Sequence, residues 1–158
     1  MTSPNDTTQK AGNVGQFVPV AGALALVATH HDGRGLTELA LSSATTLALV
    51  HTLKPIVNRT RPNGGSRSFP SGHTAIAIAG AGFVQRRYGW AWGAPAYAVT
   101  VFVAYSRVHS KEHYTTDVLA SGAIGIASNL VFTHRYRGVT VTPTATGGGP
   151  GIALSIAW

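Results

Sequence analysis

The sequence predicts a mainly α-helical protein, a compact bundle of about five helices followed by a C-terminal β-hairpin. Long charge-free stretches alternate with short basic or glycine-containing segments, the apolar residues are largely small, and period-two alternation occurs only near the C-terminus. A length of 158 residues suits one domain with one core. We therefore expect a single domain over residues 1–158, with a polar tail at 1–12 and the hairpin at 138–158.

Turn signals separate the predicted helices. A His-His-Asp-Gly turn follows the first helix, Ser71 is a suitable N-cap for the third, and an Arg-Arg-Tyr-Gly segment at 86–89 ends the third. The helices are expected over residues 14–29, 36–57, 71–86, 90–106 and 115–132. The hairpin is expected from two alternating segments, 138–142 and 152–156, that flank a glycine-rich turn.

The composition favours an anionic partner. Twelve Lys and Arg face five Asp and Glu, which gives a formal charge of +7, and cysteine is absent, so disulfides and thiolate metal sites are excluded. The cations are concentrated in two short segments rather than in a basic stripe with interleaved aromatics, so we do not expect nucleic acid as the partner. They are Lys54, Arg59, Arg61, Arg67, Arg107 and Lys111.

The order of the elements brings these two segments together. The first lies between the second and third predicted helices, and the second lies between the fourth and fifth. In an up-down bundle these four helix ends share one face. Two segments about fifty residues apart are therefore expected to build one pocket.

Three motifs occupy this predicted face. Lys54 is followed, after six residues, by Arg61 and a proline. A Pro-Ser-Gly-His run ends at His73, and Ser106-Arg107 precedes His113 and Asp117. In order and internal spacing they resemble the three-part signature of the type-2 phosphatidic acid phosphatase (PAP2) superfamily. That superfamily shares its site with bacterial class A acid phosphatases and vanadium haloperoxidases.

The residue types suit phosphoryl transfer, in which catalysis is mostly positioning and charge stabilisation. Arg61 and Arg107 are permanently charged forks that can grip phosphate oxygens, and Lys54 adds a point charge. Ser71 and Gly72 stand where a helix begins, so backbone N–H groups can face an anion. These five residues are the expected phosphate-binding set.

The remaining chemistry requires a nucleophile and an acid. His113 and Asp117 lie four residues apart, which places them on one face of a helix, and Asp117 can orient the imidazole. The resemblance implies that His113 forms a phosphohistidine and that His73 protonates the leaving oxygen. It also implies that no metal and no cofactor take part.

Other residues are left without a role. His30, His31, His51 and His134 match no motif. Arg59 and Arg67 lie in the first basic segment, but the motif requires neither; either could contact substrate or only tune its field. A single histidine or arginine of this kind is usually a cap or a solvated residue. That interpretation does not explain why the three motifs occur together with this spacing.

The resemblance implies a metal-independent phosphatase that acts on phosphomonoester or diphosphate groups. We expect a lipid substrate: a phospholipid, an isoprenoid diphosphate or lipid A. The alternative is a soluble periplasmic acid phosphatase or phosphotransferase. More remote are a vanadium-dependent haloperoxidase and a non-catalytic phosphate-binding module.

Membrane placement depends on charge and hydropathy together. A spanning helix needs about twenty apolar residues, and the mean hydropathy of +0.14 is low for a chain immersed in lipid. Arginines are expected on the face opposite the pocket, at positions 34, 86, 87, 135 and 137. By the positive-inside rule this predicts a bacterial inner-membrane enzyme with its site facing the periplasm. A soluble periplasmic enzyme is the alternative.

Overall fold

The computed structural model describes residues 4–136, 139–146 and 149–156. The prediction of a mainly helical bundle is confirmed, although the described residues contain six helices rather than five. The helices are α1 (Pro4–Gly15), α2 (Val18–Thr29), α3 (Gly33–Val57), α4 (Gly72–Tyr88), α5 (Trp90–His109) and α6 (Thr115–Phe132). The strands are β1 (Val139–Thr146) and β2 (Gly149–Ile156).

The N-terminus differs most from expectation. The prediction of a polar tail is wrong for residues 4–12, which belong to α1. So short and polar a helix is not stable alone, because nucleation is costly and twelve residues add few hydrogen bonds. Tertiary contacts hold it instead. Gln9 donates to Glu112, between α5 and α6, and Asn13 accepts a hydrogen bond from Arg107 of α5.

The predicted first helix, residues 14–29, is interrupted before α2. Phe17 donates its backbone N–H to the carbonyl of Val14 at 3.1 Å, which closes a tight turn between α1 and α2. Pro19 then stands in the first turn of α2, where its missing N–H costs no helical hydrogen bond. Proline therefore fixes the start of a new helix here.

Capping explains the other boundaries. α3 begins earlier than predicted because the Asp32 side chain accepts a hydrogen bond from the N–H of Gly35 at 2.9 Å. Ser71 caps α4 as predicted, with its hydroxyl accepting from the N–H of Thr74. α5 continues three residues beyond the predicted 106, and α6 has the predicted limits.

α4 is the central helix, and it is buried around most of its circumference. It packs against α2, α3, α5 and α6. Small residues make this possible: Gly80 lies directly against the backbone of Pro19 and Val20, and Gly82 against the side chain of Asn129. The first turn of α4, which carries His73, is thereby held from several sides.

A buried ion cluster closes the end of the bundle opposite the start of α4. The Arg87 guanidinium donates to both carboxylate oxygens of Asp32 and, at 2.8 Å, to Oε2 of Glu38. Arg87 is only 4% exposed, so the expectation that it contributes to a charged outer face is wrong. Its charge is used inside the fold, because a buried guanidinium requires carboxylate partners.

Strands β1 and β2 pair in antiparallel fashion, from Val139 opposite Ile156 to Thr146 opposite Gly149. The predicted hairpin limits, residues 138 and 158, lie outside the described residues.

Two segments are long and apolar enough to cross a membrane: Thr7–Thr29, which contains most of α1 and all of α2, and Thr115–Phe132, which is α6. The outward faces of the helices also carry many large apolar side chains. Those on α5 and α6 include Val101, Phe102, Tyr105, Leu119, Ile126, Leu130 and Val131.

Replacing Gly80 with alanine is expected to destabilise the protein. The added Cβ would lie 2.5 Å from the backbone nitrogen of Val20, so α2 and α4 would have to separate. Overpacking of this kind costs about 1–3 kcal/mol. The measurement is the change in thermal unfolding midpoint.

Gly122→Ala is the matched control, because its added Cβ meets nothing within 4 Å. It should be neutral or stabilising by up to about 1 kcal/mol. Equal midpoints for the two variants would contradict the close α2–α4 contact.

Candidate active site

The two basic segments meet at one end of the bundle, as the order of the helices predicts. The N–H of Asn63, in the segment after α3, donates to the carbonyl of Lys111, in the segment after α5, at 3.0 Å. Arg59 reaches Asp117 in the first turn of α6 at 2.9 Å. The starts of α4 and α6 and the ends of α3 and α5 therefore border one site.

His113 and Asp117 form a buried pair in this site. His113 is 3% exposed and Asp117 is fully buried. The imidazole Nδ1 lies 3.6 Å from Oδ2 of Asp117, which is an electrostatic contact slightly longer than a hydrogen bond. Catalytic hydrogen bonds often have this length before substrate binds. The arrangement leaves Nε2 as the nitrogen that does not face the carboxylate.

Further donors fix the Asp117 carboxylate. The backbone N–H of Tyr114 donates to Oδ2 at 2.9 Å, and the Ser68 hydroxyl donates to the same oxygen. Arg59 Nη1 donates to Oδ1 at 2.9 Å. A fully buried carboxylate needs such compensation, because desolvation of an unpaired charge is costly.

Both histidines of the site are held neutral by their surroundings. Burial, together with the positive charges of Arg61 and Lys54, lowers the pKa of His113 to about 4. Burial, together with the charge of Arg107, lowers the pKa of His73 to about 4, although Glu112 opposes this. Near pH 7 each imidazole therefore keeps a free lone pair, which a nucleophile or a general base requires.

Lys54, Ser71 and Gly72 lie together at the start of α4. The ammonium of Lys54 donates to the carbonyls of Pro70 at 2.8 Å and Arg67 at 3.3 Å. Gly72 is the first residue of α4, and Lys54 is the nearest neighbour a Cβ there would meet. A cation and a helix N-terminus thus share one corner of the site.

Arg61 is paired with Glu112, the residue directly before His113. The two form a salt bridge, and Arg61 Nε also donates to the carbonyl of Ser66 at 3.1 Å. Glu112 further accepts from Asn63 at 3.2 Å and from Gln9 at 3.0 Å. Sequence reasoning assigned Glu112 no role. The available signal was an acid placed beside the expected nucleophile in a chain with few acids.

Arg107 is 2% exposed and is held by α1. Its Nη1 donates to the Asn13 side chain at 2.8 Å, and its Nη2 donates to the backbone carbonyl of Gln9 at 2.7 Å. Its Nε donates to the Ser106 hydroxyl at 3.2 Å. Gln9 and Asn13 therefore belong to the site, and the sequence carried no motif that would have indicated them.

The structure brings the eight predicted site residues to one end of the bundle. His113, Asp117 and His73 supply the titratable groups; Lys54, Arg61 and Arg107 supply the cations. Within the described residues, no group of three or more His, Cys, Asp or Glu could hold a metal ion.

The family model described as the PAP2 superfamily matches residues 63–140. A lipid A 4'-phosphatase from Helicobacter pylori is 30% identical over 142 residues, which cover 82% of this chain and 71% of that protein. The chain belongs to the PAP2 superfamily. It is therefore a phosphatase. The family match contains the second and third motifs, whereas Lys54 and Arg61 of the first motif lie before it.

Two solved structures have the same fold. LpxE of Aquifex aeolicus has a TM-score of 0.70 at 22% identity, covering 82% of this chain and 86% of that one. A transmembrane PAP2-type phosphatidylglycerolphosphate phosphatase from Bacillus subtilis has a TM-score of 0.65 at 23% identity, covering 84% and 77%. The family match ends at residue 140, near the start of β1, so it does not include most of the hairpin.

The Glu112→Gln variant of this PAP2 enzyme is expected to bind inorganic phosphate more tightly. The change removes an anion that pairs with Arg61 and keeps the size of the side chain. We expect the inhibition constant for orthophosphate to fall about tenfold, which corresponds to about 1.4 kcal/mol. The measurement is competitive inhibition at low and high salt, since salt should reduce the difference.

Glu112→Asp, which keeps the charge, is the control and should change the constant less than Glu112→Gln does. An unchanged or weaker phosphate affinity in Glu112→Gln would contradict this electrostatic account.

Proposed function

We propose that this chain, as a single domain, hydrolyses phosphomonoester or diphosphate groups of a lipid through a phosphohistidine at His113. One observation carries the proposal: the buried His113–Asp117 pair lies where all three motif segments meet, with the imidazole neutral near pH 7. A neutral, oriented imidazole beside a cluster of cations suits nucleophilic attack on a phosphoryl group.

The first half-reaction transfers the phosphoryl group to the enzyme. Nε2 of His113 attacks phosphorus while the bond from phosphorus to the leaving oxygen breaks. His73 gives that oxygen its proton, and Asp117 stabilises the positive charge that develops on the His113 ring. In the second half-reaction water attacks the phosphohistidine, His73 accepts the water proton, and inorganic phosphate leaves.

His73 must be protonated to act as the acid, although the protein alone lowers its pKa to about 4. A bound phosphate group would raise the pKa of His73. Its negative charge would lie among the cations that now depress this pKa, and a nearby anion favours the charged imidazolium. The acid is therefore formed when substrate binds.

Arg61 and Arg107 can stabilise the negative charge of the transition state only after they exchange their present hydrogen-bond partners for phosphate oxygens. Arg61 must exchange the Glu112 carboxylate for phosphate oxygens, and Arg107 must exchange at least one of its contacts with α1. Lys54 lies beside the N-terminus of α4 and needs no such exchange to face an anion there.

A lipid substrate fits the surface of the bundle. Two apolar segments of spanning length and the exposed apolar side chains of α5 and α6 favour contact with a bilayer. Among lipids we favour a lipid A phosphate, because the Helicobacter relative with that activity is similar in sequence over most of both chains. The likeness to the phosphatidylglycerolphosphate phosphatase is one of fold.

We propose that the site faces the periplasm from the inner membrane. Arg34, Arg86 and Arg135 would then lie on the cytoplasmic side, as the positive-inside rule requires. Arg87 adds little to this argument because its charge is buried against Asp32 and Glu38. Arg137 lies outside the described residues.

The proposal is tested by turnover of lipid A phosphate with EDTA present. Wild-type enzyme should release inorganic phosphate unimpaired, because cations of the protein supply the charge stabilisation. His113→Ala should lower kcat at least about a thousandfold, as removal of a covalent nucleophile does in other enzymes. His51→Ala, at an exposed position on α3, is the matched control and should retain wild-type turnover.

Two outcomes would refute the proposal. One is loss of wild-type activity in EDTA that Mg²⁺ restores. The other is near-normal turnover by folded His113→Ala. Parallel assays with phosphatidylglycerol phosphate and a soluble phosphomonoester identify the substrate class, and a preference for the soluble ester would contradict the lipid assignment.

A further inference from the structure

Arg59 makes three contacts with the segment that carries Asp117. Its Nη1 donates to Oδ1 of Asp117 at 2.9 Å and to the hydroxyl of Thr116 at 2.7 Å. Its guanidinium also lies over the ring of Tyr114, 3.9 Å from the ring centre. In addition, the backbone carbonyl of Arg59 accepts from the N–H of Ser68 at 2.7 Å. Arg59 therefore joins the loop after α3 to the start of α6.

The two oxygens of Asp117 have separate partners. Oδ1 accepts from Arg59. Oδ2 accepts from the Tyr114 N–H and the Ser68 hydroxyl, and it faces Nδ1 of His113. Because Arg59 holds the oxygen that the histidine does not face, it can fix the carboxylate without competing for that histidine.

We propose that Arg59 is a positioning residue that anchors Asp117 through Oδ1 and thereby sets the charge and orientation of the carboxylate beside His113. This inference rests on the proposed role of His113 as nucleophile. Arg59 itself is not assigned a contact with substrate, and the PAP2 motif does not include it.

Arg67 shows that this role is not general to cations of the loop. It lies in the same segment and is exposed, and within residues 7–136 its side chain makes no hydrogen bond or ion pair. Arg61 is also unsuited, because its partner is Glu112. Of the three loop arginines, Arg59 is the one whose guanidinium contacts Asp117.

The sign of the electrical effect follows from the groups that face His113. Lys54 faces it from α3, Arg61 and the backbone of Ser68 from the loop, and Asp117 from α6. Removing Arg59 leaves this set intact but strips a cation from Asp117. The carboxylate then acts on His113 with a less compensated negative charge, which raises the pKa of the imidazole. Protonation of His113 removes the lone pair that a nucleophile requires.

The test is the pH dependence of kcat/KM, measured with EDTA present, for wild type, Arg59→Gln, Arg59→Lys and Arg67→Gln. The wild-type acidic limb should lie near the pKa of His113, about 4. Arg59→Gln should move this limb upward by about one pH unit and lower kcat about tenfold, with KM changed less than about threefold. Arg59→Lys should restore most of the wild-type profile, and Arg67→Gln should coincide with wild type.

The inference would be overturned if the acidic limb of the kcat/KM profile of Arg59→Gln coincided with that of wild type. An Arg59→Lys variant as impaired as Arg59→Gln would also overturn it, because the charge would then not matter. If Arg59→Gln does not fold, Thr116→Val replaces it in the test, because it removes one hydrogen bond of Arg59. The acidic limb should then move in the same direction by a smaller amount. An unmoved limb would overturn the inference. An inactive wild type would instead refute the proposed function.

Discussion

The buried carboxylate of Asp117 connects the elements of the site. Full burial of an anion is tolerated only if donors surround it. Those donors come from two parts of the chain: Arg59 and Ser68 from the loop after α3, and Tyr114 from the segment after α5, whose His113 faces Oδ2. The backbone takes part as well, since Ser71 donates its N–H to the carbonyl of Asp117 at 3.2 Å. The requirement to satisfy one charge thus fixes the loop after α3 relative to the start of α6, and the Ser71–Asp117 backbone bond adds the start of α4.

Much of this arrangement could be predicted from local sequence. The limits of α6, the Ser71 cap and the convergence of two basic segments follow from rules that act within a few residues or from the order of the helices. The motif spacing identifies His113, Asp117 and the cations because phosphoryl transfer needs those residue types together. Their partners could not be predicted: Glu112 binds Arg61 across 51 residues, and neither residue signals the other in the sequence.

Long-range contacts explain the remaining errors. α1 is polar and has weak helical signals, and contacts of Gln9 and Asn13 with residues about one hundred positions away hold it in place. From the sequence Arg87 is expected to be an exposed cation in a basic turn, yet it is buried and paired with the carboxylates of Asp32 and Glu38. In both cases tertiary pairing decides the outcome. The same pairing explains how so basic a chain keeps its site cations in place: carboxylates and carbonyls hold them where phosphate is expected to bind.

The central claim is covalent catalysis at His113, and trapping the intermediate tests it most directly. Enzyme mixed with a lipid substrate labelled at the phosphate would be quenched within one turnover and digested under alkaline conditions, in which phosphohistidine survives. The account predicts one acid-labile phosphoryl group, mapped by mass spectrometry to His113 and absent from His113→Ala. Rapid turnover with no covalent label, or a label on another residue, would contradict it.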